Sequence, residues 1–265
     1  MKAGRQPPSD QPSDGSPVRP RSVRLRLDAQ LVAAGRVASR SRAADLIKRG
    51  LVRLDGRALK ASDRIDSHDF SRLTIDDYPW VSRAALKLVE ALRQCPDFAP
   101  EDQVCLDIGA STGGFSQVLL HAGARQVIAL DVGHGQLHAS LRGDRRVIDL
   151  EGFNARDLDP ALLSAEGVTR LVSDVSFISV TKALDPALTE LPAGAQALIL
   201  IKPQFEVGRE GLQKDGVARN PHAALDLVTA WLQNQHSDWQ VRWTGDSPII
   251  GGDGNREFLM HLVRK

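Results

Sequence analysis

Cysteine, tyrosine and methionine are scarce: the chain has two, one and two of them in 265 residues. With only Cys95 and Cys105 available, a disulfide framework is excluded as the organising device, and a reducing, cytoplasmic setting is expected. No run of about 18 apolar residues occurs, so no membrane-spanning helix and no membrane partner are expected. Aromatic residues make up 5% of the chain and none is interleaved with the N-terminal arginines, which argues against a platform for stacking single-stranded bases. The opening stretch MKAGRQPPSDQPSDGSPVRPRS has no apolar centre; it is not a signal peptide and reads as a disordered tail over 1–22. What remains, 42% hydrophobic and 25% charged, is the composition of an ordinary globular protein with room for one large or two smaller cores.

A large net charge is missing too, but the total of +1 conceals a division. Residues 1–72 hold 16 basic and 8 acidic side chains, which leaves 18 basic and 25 acidic for the rest. A basic N-terminal module for binding a polyanion, joined to a mildly acidic body, fits that division. Within the module, Asp28 is expected to cap a helix through AQLVAAG that closes at Gly35, and Ser39 to cap a second helix, RSRAADLIKR, that closes at Gly50. LVRLDG then reads as a strand running into an Asp55-Gly56 turn. This arrangement places Arg36, Arg40, Arg42, Lys48, Arg49 and Arg53 on the polar surface, where guanidinium groups suit phosphate contacts. The stretch SRSRAADLIKRGLVRLDG resembles the small α+β RNA-binding domain named after ribosomal protein S-four, over residues 23–72. The resemblance implies structured RNA as the partner.

From about residue 100, short apolar runs alternate with helical stretches. VCLDIG, QVIALD, RVIDL, RLVSD and ALILIK are the strand candidates, and the rhythm indicates βαβ units in a parallel sheet. Asn220 and Pro221 read as the opening of a late helix, and the C-terminal end as a hairpin. The expected fold is α/β, a class I Rossmann-like methyltransferase domain over 81–265, reached through a linker at 73–80. Ligands of such sheets collect at the C-terminal strand ends, and here those ends carry Asp107, Asp131, Asp174 and Lys202.

The loop LDIGASTGGF supplies Gly109, Ser111, Gly113 and Gly114 for close backbone approach to a cofactor. Its G-x-x-x-G-G spacing is not the dinucleotide fingerprint. An acid at Asp107 would repel a pyrophosphate but attract the amino group of S-adenosylmethionine. Asp131 ends the second strand, where a carboxylate can hold both ribose hydroxyls, and Glu151 and Asn154 follow the third strand on the adenine side. His134 and His138 have helical i, i+4 spacing but no third ligand, so no metal is expected.

For the acceptor, DVSF at the fourth strand end lacks the prolines of base-nitrogen methyltransferases, and neither cysteine stands in a Pro-Cys motif. Asp174 and Lys202 at adjacent strand ends suit a hydroxyl nucleophile, which needs a base at hand. WVSRAALKL, DIGASTGGF, ALDVGHGQL, DVSFISV, LIKPQFE and GNREFL match, in order, the TlyA-type ribosomal RNA 2′-O-methyltransferases, a family also labelled hemolysin A. The chain resembles that family over 23–265, and the resemblance implies an FtsJ-like catalytic domain, S-adenosylmethionine as cofactor and ribosomal RNA or ribosomal subunits as partner. It also implies transfer to a ribose 2′-hydroxyl, of a cytidine, by a Lys87, Asp174, Lys202 and Glu257 tetrad. Lys202 is then the base, Asp174 orients it, Lys87 and Glu257 steer the ribose, and Arg83 in the first motif is a further RNA contact. Helical spacing alone puts Lys87 opposite an apolar face of Ala85, Leu88, Val89 and Leu92, as a solvated residue. Two departures stand out: Ala84-Ala85 where the family has Gly-Gly, and Lys214-Asp215-Gly216, in an expected mobile loop, where it has Lys-Gly-Gly. The competing readings are a catalytically silent RNA-binding protein and a pore-forming hemolysin.

Overall fold

The computed structural model describes residues 25–75, 79–251 and 254–265. The tail expected over 1–22, and 76–78 of the expected linker, lie outside the described residues. The chain divides into two compact units between residues 78 and 79.

In the first unit, α1 (Leu27–Ala33) and α2 (Arg40–Lys48) precede β1 (Val52–Leu54), β2 (Arg57–Ala58) and β3 (Leu73–Ile75). The strands form an antiparallel sheet in the order β2-β1-β3. Asp55 and Gly56 have φ of 48° and 81°, the paired left-handed conformation of a tight hairpin turn. Leu27, Leu31, Ala43, Leu46 and Val52 make its core. Ser39 caps α2 by accepting from the Arg42 N–H at 3.2 Å. Two expectations are corrected. Asp28 is not a cap: burial of Leu27 draws the helix start back by a residue, and Asp28 sits buried in the first turn, paired with Arg26 (3.2 Å) and Arg40 (3.0 Å). The segment expected to begin the linker at 73 is a strand instead, because Leu73 is buried and pairs with Leu54.

In the second unit, α3 (Ala85–Gln94) leads to β4 (Val104–Ile108), α4 (Gly114–His121), β5 (Gln126–Asp131), α5 (Ala139–Arg142) and β6 (Val147–Glu151). Then come α6 (Pro160–Glu166), β7 (Val168–Ser173), α7 (Val180–Ala183), α8 (Asp185–Glu190) and β8 (Gln196–Ile201). The chain ends with α9 (Pro203–Glu206), α10 (Ala223–Gln235), β9 (Trp239–Asp246) and β10 (Phe258–Arg264). Among the described residues the sheet runs β6-β5-β4-β7-β8-β10-β9, parallel from β6 to β8 and antiparallel at β10 and β9. The apolar runs behave as strands covered on both faces: Val104, Leu106 and Ile108 of β4 face one core and Cys105 the other. Since side chains alternate, Asp107 points to the face covered by α3 and α4. Asn220 and Pro221 lie in the turn before α10 rather than opening it, because the N–H groups of Ala223 and Ala224 bond back to their carbonyls by i→i+3 contacts. No described helix is long and apolar enough to cross a membrane.

Leu106 is fully buried on the central strand. Leu106→Ala should lower the unfolding free energy by about 2–5 kcal/mol, read from the shift in urea midpoint at constant m.

Candidate active site

Asp174 and Lys202 follow β7 and β8, which pair in parallel with Ser173 opposite Ile199. Adjacent parallel strands must deliver their next residues to the same rim, and Lys202 Nζ stands 2.7 Å from Asp174 Oδ1. That contact is a close charge pairing; the well-aligned hydrogen bond from Lys202 goes to Ser176 Oγ at 2.6 Å. Phe258 of β10 pairs with Ile201 of β8, so Glu257 falls beside Lys202 on the neighbouring strand. Lys87 enters from α3, 2.7 Å from Glu257 Oε2 and 3.5 Å from Asp174 Oδ2. Lys87, Lys202 and Glu257 are each at most 7% exposed. Buried charges persist only when paired, and alternating signs, Glu257–Lys87–Asp174–Lys202, meet that condition. The spacing-based placement of Lys87 in solvent is thereby corrected: the buried residues of α3 are Ala85, Lys87, Leu88 and Ala91, while Val89 is exposed.

Two adjoining cavities open at these strand ends. The larger, about 540 Å³, is lined by Ile108, Leu130, Val132, Phe153 and Ile178 and by the polar groups of Asp131, Asn154 and Gln136. The smaller, about 260 Å³, is lined by Ser82, Arg83, Thr112, Gly114 and Lys202. Gly109, Ser111, Asp174 and Ser176 line both. Gly109 has φ +86°, and a Cβ there would stand 3.0 Å from the backbone of Asp174, so a side chain would part the glycine loop from β7. At Gly114 a Cβ would meet Ser82 Oγ at 2.2 Å. Gly113, also left-handed, is the N-cap of α4. Asp131 accepts from the Ser111 N–H (2.8 Å) and the Gly133 N–H (2.7 Å), joining the end of β5 to the glycine loop.

Three expected cofactor contacts lie elsewhere, the first being Gly113, which lines neither cavity. Asp107 is fully buried and lines neither cavity; one carboxyl oxygen accepts from Ser116 Oγ at 2.6 Å and the other has no hydrogen-bond partner. Burial pushes its carboxyl up to about 7, against the lowering effect of the Ser116 bond. Glu151 also lies outside both cavities, because its carboxylate accepts from three consecutive backbone N–H groups, of Gly135, Gln136 and Leu137. Those bonds, the Leu137 one foremost, hold it below the usual carboxylate range. It braces the loop that carries Val132, Gly133 and Gln136. The cavity residues that sequence reasoning missed include Ser82, Thr112, Ser176, Phe177, Gln136 and Phe153. Phe177 is 91% exposed with φ +66°, a strained conformation for an aromatic residue. The DVSF motif contained it, but nothing local signals its exposure.

In the first unit, Arg36 donates to the carbonyls of Phe70 (2.9 Å) and Leu73 (3.3 Å), Arg40 pairs with Asp28, and Arg53 donates to Gly50 O. These side chains brace the fold while remaining exposed, and Lys48 is exposed at the end of α2. The expected loose loop at 214–216 is the tip of a short hairpin: Leu212 bridges Ala218, and buried Asn255 bonds Ala218 N–H (2.9 Å) and Gly216 O (3.2 Å).

A family model described as FtsJ-like methyltransferase matches residues 80–264, and one described as S4 domain matches residues 25–71. The chain is 41% identical over 242 residues to the 16S/23S rRNA (cytidine-2′-O)-methyltransferase TlyA of Mycobacterium tuberculosis, across 90% of both chains. It is 38% identical over 247 residues to Hemolysin A of Brachyspira hyodysenteriae, covering 90% of this chain and all of that one. A solved hemolysin-named structure from Streptococcus thermophilus superposes with a TM-score of 0.70 at 37% identity, covering 91% of this chain and 88% of the other.

The raised Asp107 carboxyl makes a signed prediction. A group that holds its proton more tightly when folded destabilises the fold as pH rises from the unfolded value of 3.8 through about 7, by about 4 kcal/mol at the top of that window. Asp107→Asn, which cannot ionise, should therefore raise the melting temperature at pH 8 and leave it unchanged near pH 3.5. Equal effects at both pH values would refute the buried-proton account.

Proposed function

The chain belongs to the FtsJ-like methyltransferase family, and from that premise we propose that it moves a methyl group from S-adenosylmethionine to a ribose 2′-hydroxyl, of a cytidine, in ribosomal RNA. One observation carries the reading: Lys202, which lines the smaller cavity, holds its Nζ 2.7 Å from Oδ1 of Asp174, and Asp174 lines both cavities.

The cofactor fits the larger cavity on chemical grounds. Its size is that of a small-molecule site. Apolar walls at Ile108, Leu130 and Phe153 suit adenine, and Asp131 suits a pair of ribose hydroxyls. The acids around it favour a cation over a dinucleotide pyrophosphate. When bound there, S-adenosylmethionine supplies a methyl group activated by its sulfonium.

The chain supplies alignment and a proton acceptor. Lys202, as the amine, takes the 2′-hydroxyl proton at Nζ. Asp174 and Ser176 aim that nitrogen, and Asp174 stabilises the ammonium that forms. With Lys202 as the amine, the tetrad carries one net negative charge, and proton uptake brings it to zero. Lys87, held by Glu257, keeps Asp174 turned toward Lys202. The exposed Phe177 ring beside Ser176 offers a face on which the target base can stack. The cations of the first unit, Lys48 among them, bind RNA phosphates, and Arg83, which lines the smaller cavity, is a further RNA contact. A catalytically silent protein would have no need of a linked tetrad of charges, three of them buried, with Asp174 and Lys202 opening onto a cavity.

Ribosomal subunits incubated with methyl-labelled S-adenosylmethionine should gain label that survives base removal and blocks alkaline cleavage at one site. Lys202→Ala should cut the rate by about 10²–10⁴-fold with cofactor binding retained by calorimetry. Full labelling by Lys202→Ala, or none by the wild type, would sink the mechanism. Lys48→Gln should reduce the slope of log affinity for RNA against log salt by about one.

A further inference from the structure

Glu206 ends the short helix that starts directly after Lys202, and no catalytic role falls to it in the scheme above. Its carboxyl accepts from Ser179 Oγ at 2.5 Å and from the Val180 N–H at 2.9 Å. Burial pushes this carboxyl above the usual range, with the two hydrogen bonds opposing. Among the described residues no salt bridge offsets that burial. A half-buried carboxylate facing neutral donors gains no ion pair to offset its desolvation, and what its two oxygens do hold is backbone and side-chain geometry.

The partners show which. Ser179 and Val180 end the segment that begins at Asp174 and carries Ser176 and Phe177; Glu206 ends the segment that begins at Lys202. Three contacts join the segments: Lys202 to Asp174 and Ser176, the Phe205 ring to the Phe177 ring at 5.5 Å, and Glu206 to Ser179 and Val180. The last is the far clamp. Ser179 Oγ accepts from the Thr181 N–H at 3.2 Å and donates to Glu206, which leaves Thr181 Oγ1, 2.8 Å away, as a donor to Ser179. The Val180 N–H donates to the other carboxyl oxygen, so each oxygen of Glu206 takes one donor.

We propose that Glu206 is a positioning residue for the methyl transfer: it locks the segment after β7 to the segment after β8 and so sets the Lys202–Asp174 separation. This rests on the reading of Lys202 as the base, and the test separates the two. Glu206→Ala and Glu206→Gln are made in the full chain, with folding checked by thermal melting. Against ribosomal subunits, Glu206→Ala should lower kcat by about 10- to 100-fold, with a change in cofactor Kd of no more than about threefold. Glu206→Gln keeps one acceptor and should fall between it and the wild type. Loss confined to the melting temperature, or a kcat within twofold of wild type in both variants, overturns the proposal. The second readout needs no turnover: ¹³C-dimethylated lysines are followed by NMR, the Lys202 signal being assigned by its absence in Lys202→Ala. That signal should shift in both Glu206 variants, and a signal that stays put in both overturns the proposal even if the wild type methylates no RNA. Should Glu206→Ala fail to fold, Glu206→Gln decides by the same criteria.

Discussion

The second unit is organised around one electrostatic constraint: a lysine that could not be buried singly is buried against a half-buried aspartate. Lys202 and Asp174 leave neighbouring parallel strands on the same rim, Lys202 two residues further along its strand. Each charge therefore meets its partner without any side chain reaching across the crevice. Removing one partner from such a pair leaves the other uncompensated, at a typical 3–5 kcal/mol. Lys87 and Glu257 continue the alternation, from a helix before the sheet and from the last hairpin. The strands, α3 and the C-terminal hairpin are thus bound by charge as well as by apolar packing.

Carboxylates at strand ends meet three different fates, decided by where the backbone points them. Asp107 turns into the layer beneath α3 and α4, where it lacks solvent and holds a proton tightly. Asp131 stays on the rim, takes two backbone donors and still lines the cavity. Glu151 is saturated by a loop that curls over it. An acid at the end of a strand is thus a poor guide to ligand contact until the loop after it is known. The same lesson applies to arginine: Arg36 and Arg40 lie on the surface but brace carbonyls and a buried aspartate.

Much of the architecture was legible because it is local. Apolar runs of five or six residues, separated by glycine loops and amphipathic stretches, marked the parallel strands, and Asp55-Gly56 marked its hairpin. Ser39 was readable as a cap because its partner is three residues away. Misreadings arose where a distant group overrode the local rule. Lys87 breaks the apolar periodicity of α3 because its partners are 87 and 170 positions along the chain. Asp28 gave up capping because Arg40 draws it inward and Leu27 needs burial. The turn at Asn220 and Pro221 precedes the helix because its first bonds close three residues apart rather than four.

By itself, then, the sequence determined the succession of strands and helices, the glycine loop and the charges at the strand ends. Backbone preference and burial act over a few residues, and the resemblance of six ordered motifs supplied the chemistry. The tertiary structure alone decided which charges pair, which carboxylates face the cavity, and that Phe177 stands exposed while Glu206 ties two loops together. Those outcomes depend on distances between segments far apart in the chain, which sheet order and packing set and no local pattern encodes.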